Sequence, residues 1–401
     1  YLCSILKLKS IKVSFMPKIC FLVLSAYPII SNKDKDYGYV GGIDVEYTLL
    51  ARQLMRLGYD ICFITYKEKG HEYPEKEVLD GIEIMKTYER YLINDLPALY
   101  KFWKTYHKLN EANADLYFIP GSYGTILPLS FLRGKKYVFR IASTINATGR
   151  AYYADPNDTL TLVYHLRSLL LRLELKRASV IVAQTKEQSR LLKEKLGLES
   201  IVIRNGLHLP RRYNFEREKS AEPLLLWVGR ITYIKQPWIF IELAKRLPDT
   251  NFIMIGAKQL GEETLYEYIK RQAEGIPNLK FLGYVSPYEI GAYYRKAWLL
   301  INTSIYEGLP MSFIEAWANY TPIVSLRVDP DNILEIENVG ICSGSFEKMI
   351  QDVKNLISNE SLWKKMCIRS RVFAEKEFDI RIIARRYDIL FNKLLSINEK
   401  N

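Results

Sequence analysis

The sequence predicts an α/β protein of two domains, each a parallel sheet flanked by helices. Three observations carry this. Apolar runs of strand length alternate with stretches of helical periodicity through both halves of the chain. The 401 residues suffice for two domains of roughly 100–200 residues each, and the 48% hydrophobic content lets each half bury a core. A polar, basic stretch after residue 206 (Arg211, Arg212, Arg217, Lys219), closed by Pro223, separates the halves as a linker.

The elements follow in order. Ile19 to Ser25 is an apolar strand, and the loop after it holds Pro28 and the charged Lys33-Asp34-Lys35-Asp36. Gly41-Gly42 open a helix from Ile43 to Leu57, which Gly58 stops, and Asp60 to Thr65 returns as a strand. This βαβ unit lacks a full GxGxxG, so a dinucleotide cofactor is not indicated. Its glycines let the backbone approach a ligand closely. Strands are expected at Leu116 to Ile119, Tyr137 to Ile141 and Val180 to Gln184, and helices at Asp95 to Ala112, Thr159 to Lys176 and Lys186 to Lys195. The second half alternates again, with strands near Leu224, Phe252, Leu279, Trp298 and Ile323, and a last helix from Ile380 to Leu395.

The chemistry concentrates in Tyr306-Glu307-Gly308-Leu309-Pro310-Met311-Ser312-Phe313-Ile314-Glu315. The apolar run from Trp298 precedes it as a buried strand, and a helix runs from Met311 to Asn319 with Pro310 at its first position. Glu307 then lies at the strand's carboxyl end and Glu315 one turn into the helix. The amides of Leu309 to Ser312 point into the same cleft, where a helix N-terminus attracts phosphate. Carboxylates hold sugar hydroxyls with fixed geometry. The segment therefore reads as a nucleotide-sugar site, with Glu315 for the ribose, Glu307 for the transferred sugar and the turn for the phosphates. A solvated amphipathic helix with a glutamate at each end is the competing reading. Further upstream, the strand Leu224 to Val228 ends in Gly229-Arg230, and Lys235 follows just before Gln236-Pro237 and another helix. Arg230 offers a planar fork and Lys235 a point charge for a departing diphosphate. A pair of surface cations is the alternative there.

These two motifs, in this order and separation, resemble the paired signatures of the retaining GT-B glycosyltransferases, family 4 in particular. Asn205-Gly206 resembles that family's inter-domain turn, and Gly41-Gly42 its N-terminal glycine loop. The resemblance implies an N-terminal Rossmann-like acceptor domain at 16–205, a C-terminal Rossmann-like nucleotide-sugar domain at 206–379, and a helix at 380–401 crossing back to the first domain. It implies catalytic roles for Arg230, Lys235 and Glu307, and donor binding by Gly41, Gly42, Gly229, Gly308, Leu309, Pro310, Met311 and Glu315, with Tyr284 and Val285 near the base. The expected reaction is transfer from a UDP-, GDP- or ADP-linked sugar to a glycan, glycolipid or small-molecule acceptor. Anomeric configuration is retained, and no metal or other cofactor takes part. Two departures stand out. The strand Tyr137 to Ile141 is not followed by the family's histidine, leaving Arg140 or Ser143 as candidates for the acceptor side, with a structural role as the alternative. His208 stands where the turn usually continues to an aspartate.

Composition narrows the rest. The five cysteines are scattered, odd in number and without a CxxC pair, which fits reduced thiols in a cytoplasmic protein without structural zinc. The DxD matches Asp34-Lys35-Asp36 and Asp329-Pro330-Asp331 read as solvated loop carboxylates rather than metal ligands. No apolar run approaches the length of a membrane span. The net charge of +12 fits a lysine-rich surface, an anionic membrane face carrying lipid-linked acceptors, or a degenerate scaffold binding nucleic acid or membrane. No specific nucleic-acid partner is expected. The helix from Thr161 to Arg177, with its leucines and arginines, is the membrane-surface candidate, and a helix packed on the sheet is the preferred reading of it. The first fifteen residues read as an extension before a natural start at Met16, without a signal-peptide core.

Overall fold

The computed structural model describes residues 16–33, 40–67, 74–89, 98–121, 134–151, 162–259 and 261–396. The leading extension, Asp34-Lys35-Asp36 and the expected helical residues 95–97 and 159–161 lie outside them. Among the described residues, the first sheet comprises β1 Lys18–Leu22, β2 Asp60–Lys67, β3 Lys76–Leu79, β4 Ile82–Glu89, β5 Leu116–Pro120, β6 Lys136–Arg140, β7 Val180–Ala183 and β8 Ile201–Val202, in the order β3-β4-β2-β1-β5-β6-β7-β8. The second comprises β9 Leu224–Arg230, β10 Asn251–Ala257, β11 Leu279–Gly283, β12 Leu299–Asn302, β13 Ile323–Ser325 and β14 Gly340–Cys342, in the order β11-β10-β9-β12-β13-β14. The helices of eight residues or more are α1 Gly42–Arg56, α2 Ala98–Ala112, α3 Leu162–Arg177, α4 Lys186–Leu196, α5 Pro237–Arg246, α6 Glu263–Glu274, α7 Met311–Ala318, α8 Phe346–Ser358, α9 Glu360–Glu377 and α10 Ile380–Ser396.

Helices on both faces explain why the central strands read as unbroken apolar runs. In β1 every residue after Lys18 is buried, and Cys20 sits opposite Cys62 of β2 and Tyr117 of β5. All strand pairs are parallel except β3 with β4, an antiparallel hairpin at the sheet edge. The sequence expectations lack this hairpin. Its first strand, Lys-Glu-Val-Leu, carries two charges and is half exposed, so no apolar run announces it. Its turn is Asp80-Gly81, both at positive φ, the residue pair that favours a tight hairpin.

Strand order reverses beside β1 in the first sheet and beside β9 in the second. Open α/β sheets bind ligands outside the carboxyl ends of their strands at such reversals. The loops after β1, β9 and β12 all open there.

The chain crosses between the sheets twice at one point. Leu207 N donates to Phe378 O at 2.8 Å and Ile380 N to Leu207 O at 3.0 Å. A Cβ on Gly206 would stand 2.5 Å from Ile380 Cδ1, so only glycine lets the two crossings pack this closely. α10 then buries Ile380, Ile383, Ala384, Tyr387 and Phe391 in the core of the first sheet, against α1. The linker is less solvated than its composition suggests. Lys219 is buried, and its Nζ lies within hydrogen-bond distance of the carbonyls of Tyr294, Ala297 and Asn319 and of Thr321 Oγ1, so the second domain holds the linker by an amine caged in oxygens, whose pKa burial lowers to about 7.

Arg140 corrects one expectation. It does not face the cleft; it is fully buried behind it, at the end of β6. Nε donates to Tyr387 Oη at 2.9 Å, Nη1 to Tyr47 Oη at 2.6 Å, and Nη2 to Asn205 Oδ1, while Glu46 Oε1 lies 3.0 Å from Nη2. Burial opposes the guanidinium's charge, but the Glu46 carboxylate and the two tyrosines more than offset it and hold its pKa above the usual arginine range. One side chain thus joins α1, β6, the crossing point and α10. A buried pair broken on one side costs about 3–5 kcal/mol, whereas replacing both partners with apolar groups is often tolerated. Arg140→Met should therefore destabilise the first domain by that amount in urea unfolding. Glu46→Leu in the same chain should recover at least half of the loss. Equal stability of wild type and Arg140→Met would overturn this account.

Candidate active site

A cleft of about 560 Å³ lies between the two sheets at both strand-order reversals. It is lined by Gly41, Gly42, Gly229, Arg230, Lys235, Tyr284, Val285, Glu307, Gly308, Leu309, Pro310, Met311, Glu315 and Ser143. The motifs read from sequence therefore converge on one cavity, Arg140 alone standing behind its wall. Glu46, Gln184, Asn205, Gln259 and Glu262 also line it.

Each wall is built locally. Gly41 N-caps α1, and the Asp44 carboxylate accepts from Gly41 N at 2.9 Å and from Ser25 Oγ at 2.6 Å, tying the helix start to the end of β1. A Cβ on Gly42 would lie 2.9 Å from Met311 Cγ, so the glycine turn permits the first domain to touch the start of α7. At the end of β9, Arg230 Nη1 donates to Gln259 Oε1 at 2.7 Å. Lys235 is held by its own backbone, because Thr303 Oγ1 donates to Lys235 O at 2.6 Å and accepts from Trp227 Nε1 at 2.9 Å. Its ammonium pairs with Glu307 Oε1, which also accepts from Ser304 Oγ at 2.8 Å. The expected phosphate cation and the expected sugar carboxylate thus hold each other. Glu315 is different: it is reached from the cleft but otherwise enclosed, and its Oε2 accepts from Tyr294 Oη at 2.8 Å.

The loop from Glu307 to Leu309 belongs to the second domain, yet the first domain grips it. Thr144 Oγ1 donates to Glu307 O at 2.8 Å, Gln184 Oε1 accepts from Leu309 N at 3.0 Å, and Asn205 Nδ2 donates to Leu309 O at 2.8 Å. Gln184 is itself fixed, its Nε2 donating to Ile141 O and its N to Gln188 Oε1, both at 2.8 Å. A Cβ on Gly308 would meet Gln184 Oε1 at 2.9 Å and Ala142 O at 3.1 Å, which accounts for the glycine.

Three expectations change. The Leu309 amide does not point to a ligand, because Gln184 takes it. Pro310 precedes α7 as its cap rather than forming its first residue, so the amides of Met311 and Ser312 head the helix. Asp329 and Asp331 are not solvated loop carboxylates. Asp331 Oδ2 and Oδ1 accept from Lys186 N and Glu187 N at the start of α4, both at 2.9 Å, and Asp329 Oδ1 accepts from Leu334 N at 2.9 Å. Ser143 does line the cleft, as N-cap of the short helix Thr144–Ala147. Gln184 and Glu46 carry no sequence signal, being one polar residue at a strand end and one in an amphipathic helix. Asn205 is visible only as part of its turn.

Residues 212–369 match the family described as "Glycosyl transferases group 1". A Haemophilus influenzae protein described as an uncharacterized glycosyltransferase is 25% identical over 354 residues, which cover 84% of this chain and 93% of that one. The sucrose-phosphate synthase of Thermosynechococcus elongatus has a similar structure, with a TM-score of 0.78 at 15% identity over 95% of this chain and 100% of that one. Anabaena HepE, solved in complex with UDP and glucose, gives a TM-score of 0.68 at 15% identity over 94% and 100%. At these identities the two structures speak for the fold.

Glu315 makes the site's cost measurable. Burial pushes its carboxyl up to about 7, against the pull of the Tyr294 hydroxyl. The native state therefore holds a proton that the unfolded chain has already released, so stability falls as the pH rises from the ordinary value of 4.5 through about 7. The loss is on the order of 3 kcal/mol. Glu315→Gln still accepts from Tyr294 and cannot ionise. Melting temperature followed across that pH window should decline less for Glu315→Gln than for wild type, and parallel declines would show that Glu315 is ionised throughout.

Proposed function

We propose that this chain, which belongs to the group 1 glycosyl transferases and has the GT-B fold, moves a sugar from a nucleoside-diphosphate donor to an acceptor hydroxyl with retention and without a metal. The observation that carries this reading is the convergence of Arg230, Lys235, Glu307, Glu315 and the start of α7 on one cleft at the strand-order reversals of both sheets. In this reading the diphosphate lies along Gly229, Arg230, Lys235 and the Met311 and Ser312 amides. The ribose reaches Glu315, and the base sits toward Tyr284 and Val285. The bond from the anomeric carbon to the diphosphate oxygen breaks, the bond to the acceptor oxygen forms on the same face, and the acceptor's proton passes to the leaving phosphate. Arg230, Lys235 and the helix start supply positive charge where negative charge accumulates, which is where fixed charge lowers a barrier. Retention rests on the likeness to family 4. The acceptor meets the donor from the first domain, past Ser143.

Lys235 has two claimants, Glu307 and the diphosphate. Donor binding must therefore part the pair, and the freed Glu307 turns to the sugar. A basic scaffold that binds only nucleic acid gives no reason for four charged side chains to converge on one cavity.

Four outcomes test the reading. UDP is the first nucleotide to try, since HepE of the same fold is seen with it, followed by GDP and ADP. One of them should raise the melting temperature, equally in EDTA and in Mn²⁺, and no response to any would sink the proposal. Lys235→Ala should lower transfer by at least about 10²-fold with the melting temperature unchanged. Glu307→Gln should bind the nucleotide more tightly, because Lys235 is no longer shared, while transferring less; weaker nucleotide binding would refute the competition. Asn205→Asp keeps its contact with Arg140 but sets an oxygen against Leu309 O, so donor KM should rise roughly ten-fold, as expected for a lost buried hydrogen bond. An unchanged KM would remove Asn205 from donor-loop positioning.

A further inference from the structure

Gln188, in the first turn of α4, is fully buried beside the loop that carries Glu307. The backbone orients its amide. Gln184 N donates to Gln188 Oε1 at 2.8 Å, and a backbone N–H accepts nothing, so the oxygen must take that end. Nε2 is therefore turned the other way, toward Gly308, where a Cβ would stand 3.0 Å from it. There it donates to no atom among the described residues. Buried donors are almost always paired, so an orphan beside a functional loop calls for a partner that this arrangement does not supply.

The loop holds the matching acceptor. Glu307 O accepts from Thr144 Oγ1 and Leu309 O from Asn205 Nδ2, both at 2.8 Å. Gly308 O, between them, accepts no hydrogen bond among the described residues. An unpaired donor and an unpaired acceptor thus meet at one residue. That residue is glycine, whose peptide rotates at the least steric cost.

The charges of the loop give the rotation a cause. Glu307 pairs with Lys235, and on the donor-site reading it turns to the sugar once a diphosphate claims that lysine. Gly308 follows Glu307 directly and moves with it. We infer that Gln188 is a positioning residue for Glu307: as the carboxylate turns to the donor sugar, the Gly308 carbonyl turns to Gln188 Nε2, and this bond holds the loop in place. The unpaired amide burdens the loop without donor and is satisfied with it, so it favours the exchange. Gln188 is not among the residues that line the cleft and acts only through the loop. The inference rests on the donor-site reading of Lys235 and Glu307.

The experiment is calorimetric titration of wild type and Gln188→Met with UDP and with UDP-glucose, or with the GDP or ADP pair if the nucleotide screen selects it. Methionine keeps the length of the side chain and removes the donor. It also leaves Gln184 N without its acceptor, a cost that falls on both ligands alike. UDP claims Lys235 but offers Glu307 no sugar, so its Kd should be unchanged. UDP-glucose should bind roughly ten-fold more weakly, as expected for a lost buried hydrogen bond. Equal losses for the two ligands would make Gln188 a structural residue, and no loss for either would remove it from the site. Each of these overturns the inference and leaves the donor-site reading intact. A wild type that binds none of the nucleotides would sink that reading, and the inference with it. Should Gln188→Met fail to fold, a crystal structure of wild type with UDP-glucose decides. Gln188 Nε2 should lie within about 3.2 Å of Gly308 O. An amide still unpaired, or one bound to water or to Ala142 O, would overturn the inference.

Discussion

The site depends on one buried guanidinium. Arg140 offers five N–H groups, and its neighbours Glu46, Tyr47, Asn205 and Tyr387 present oxygens to four of them. The consequence reaches the cleft through Asn205. An amide has one acceptor and one donor end, and Arg140 claims the acceptor. The donor end must therefore face the other way, where it meets Leu309 O. The position of the loop that carries Glu307 is thus set by a charge it never touches. The same guanidinium holds α1, whose first turn forms the opposite wall, and α10, which fastens the chain's end to the first domain. Removing it would loosen all these parts together.

The two glutamates of the cleft occupy different electrostatic worlds. Glu307 is paired with a cation, accepts from Ser304 and has some access to water. Its charge is already compensated, so a ligand can exchange partners with it at small cost. Glu315 has a single neutral donor, Tyr294, and lies in a low-dielectric setting where an uncompensated charge is costly. Such a group gains most from further hydrogen-bond donors, and a diol supplies two. The environments fit opposite tasks: Glu307 is built to swap a cation for a sugar, and Glu315 to wait for hydroxyls.

What was legible in the sequence follows from the range of each interaction. Strand runs, glycine turns and helix starts are local, and they place Gly41, Gly229, Arg230, Lys235, Glu307 and Glu315 at strand ends, in the loops beyond them or in the helix starts that follow, where the structure has them. Arg140 is not legible in this way, because a strand-end arginine reads the same whether it faces a cleft or a buried carboxylate ninety-four positions earlier in the chain. The Leu309 amide reads as free from sequence because helix starts usually leave amides open, and only the tertiary contact with Gln184 shows otherwise. In α3 the leucines are visible in the sequence, yet periodicity cannot say that Leu171 and Leu175 are buried while Leu166 and Leu169 are exposed.

The contact of Asp331 with α4 shows how the two domains are kept in this relation. Asp331 and Asn332 both adopt left-handed backbone, at φ 57° and 56°, which Asp and Asn tolerate better than other non-glycine residues. That turn aims the Asp331 carboxylate at the start of α4, where two amides and the helix dipole receive it and Arg204 lies within 3.7 Å. These charge-assisted bonds exist only with the two domains side by side. The grip on Leu309 has the same dependence, since Gln184 and Asn205 belong to the first domain. The contacts that hold the domains against each other are therefore also the contacts that place the loop carrying Glu307.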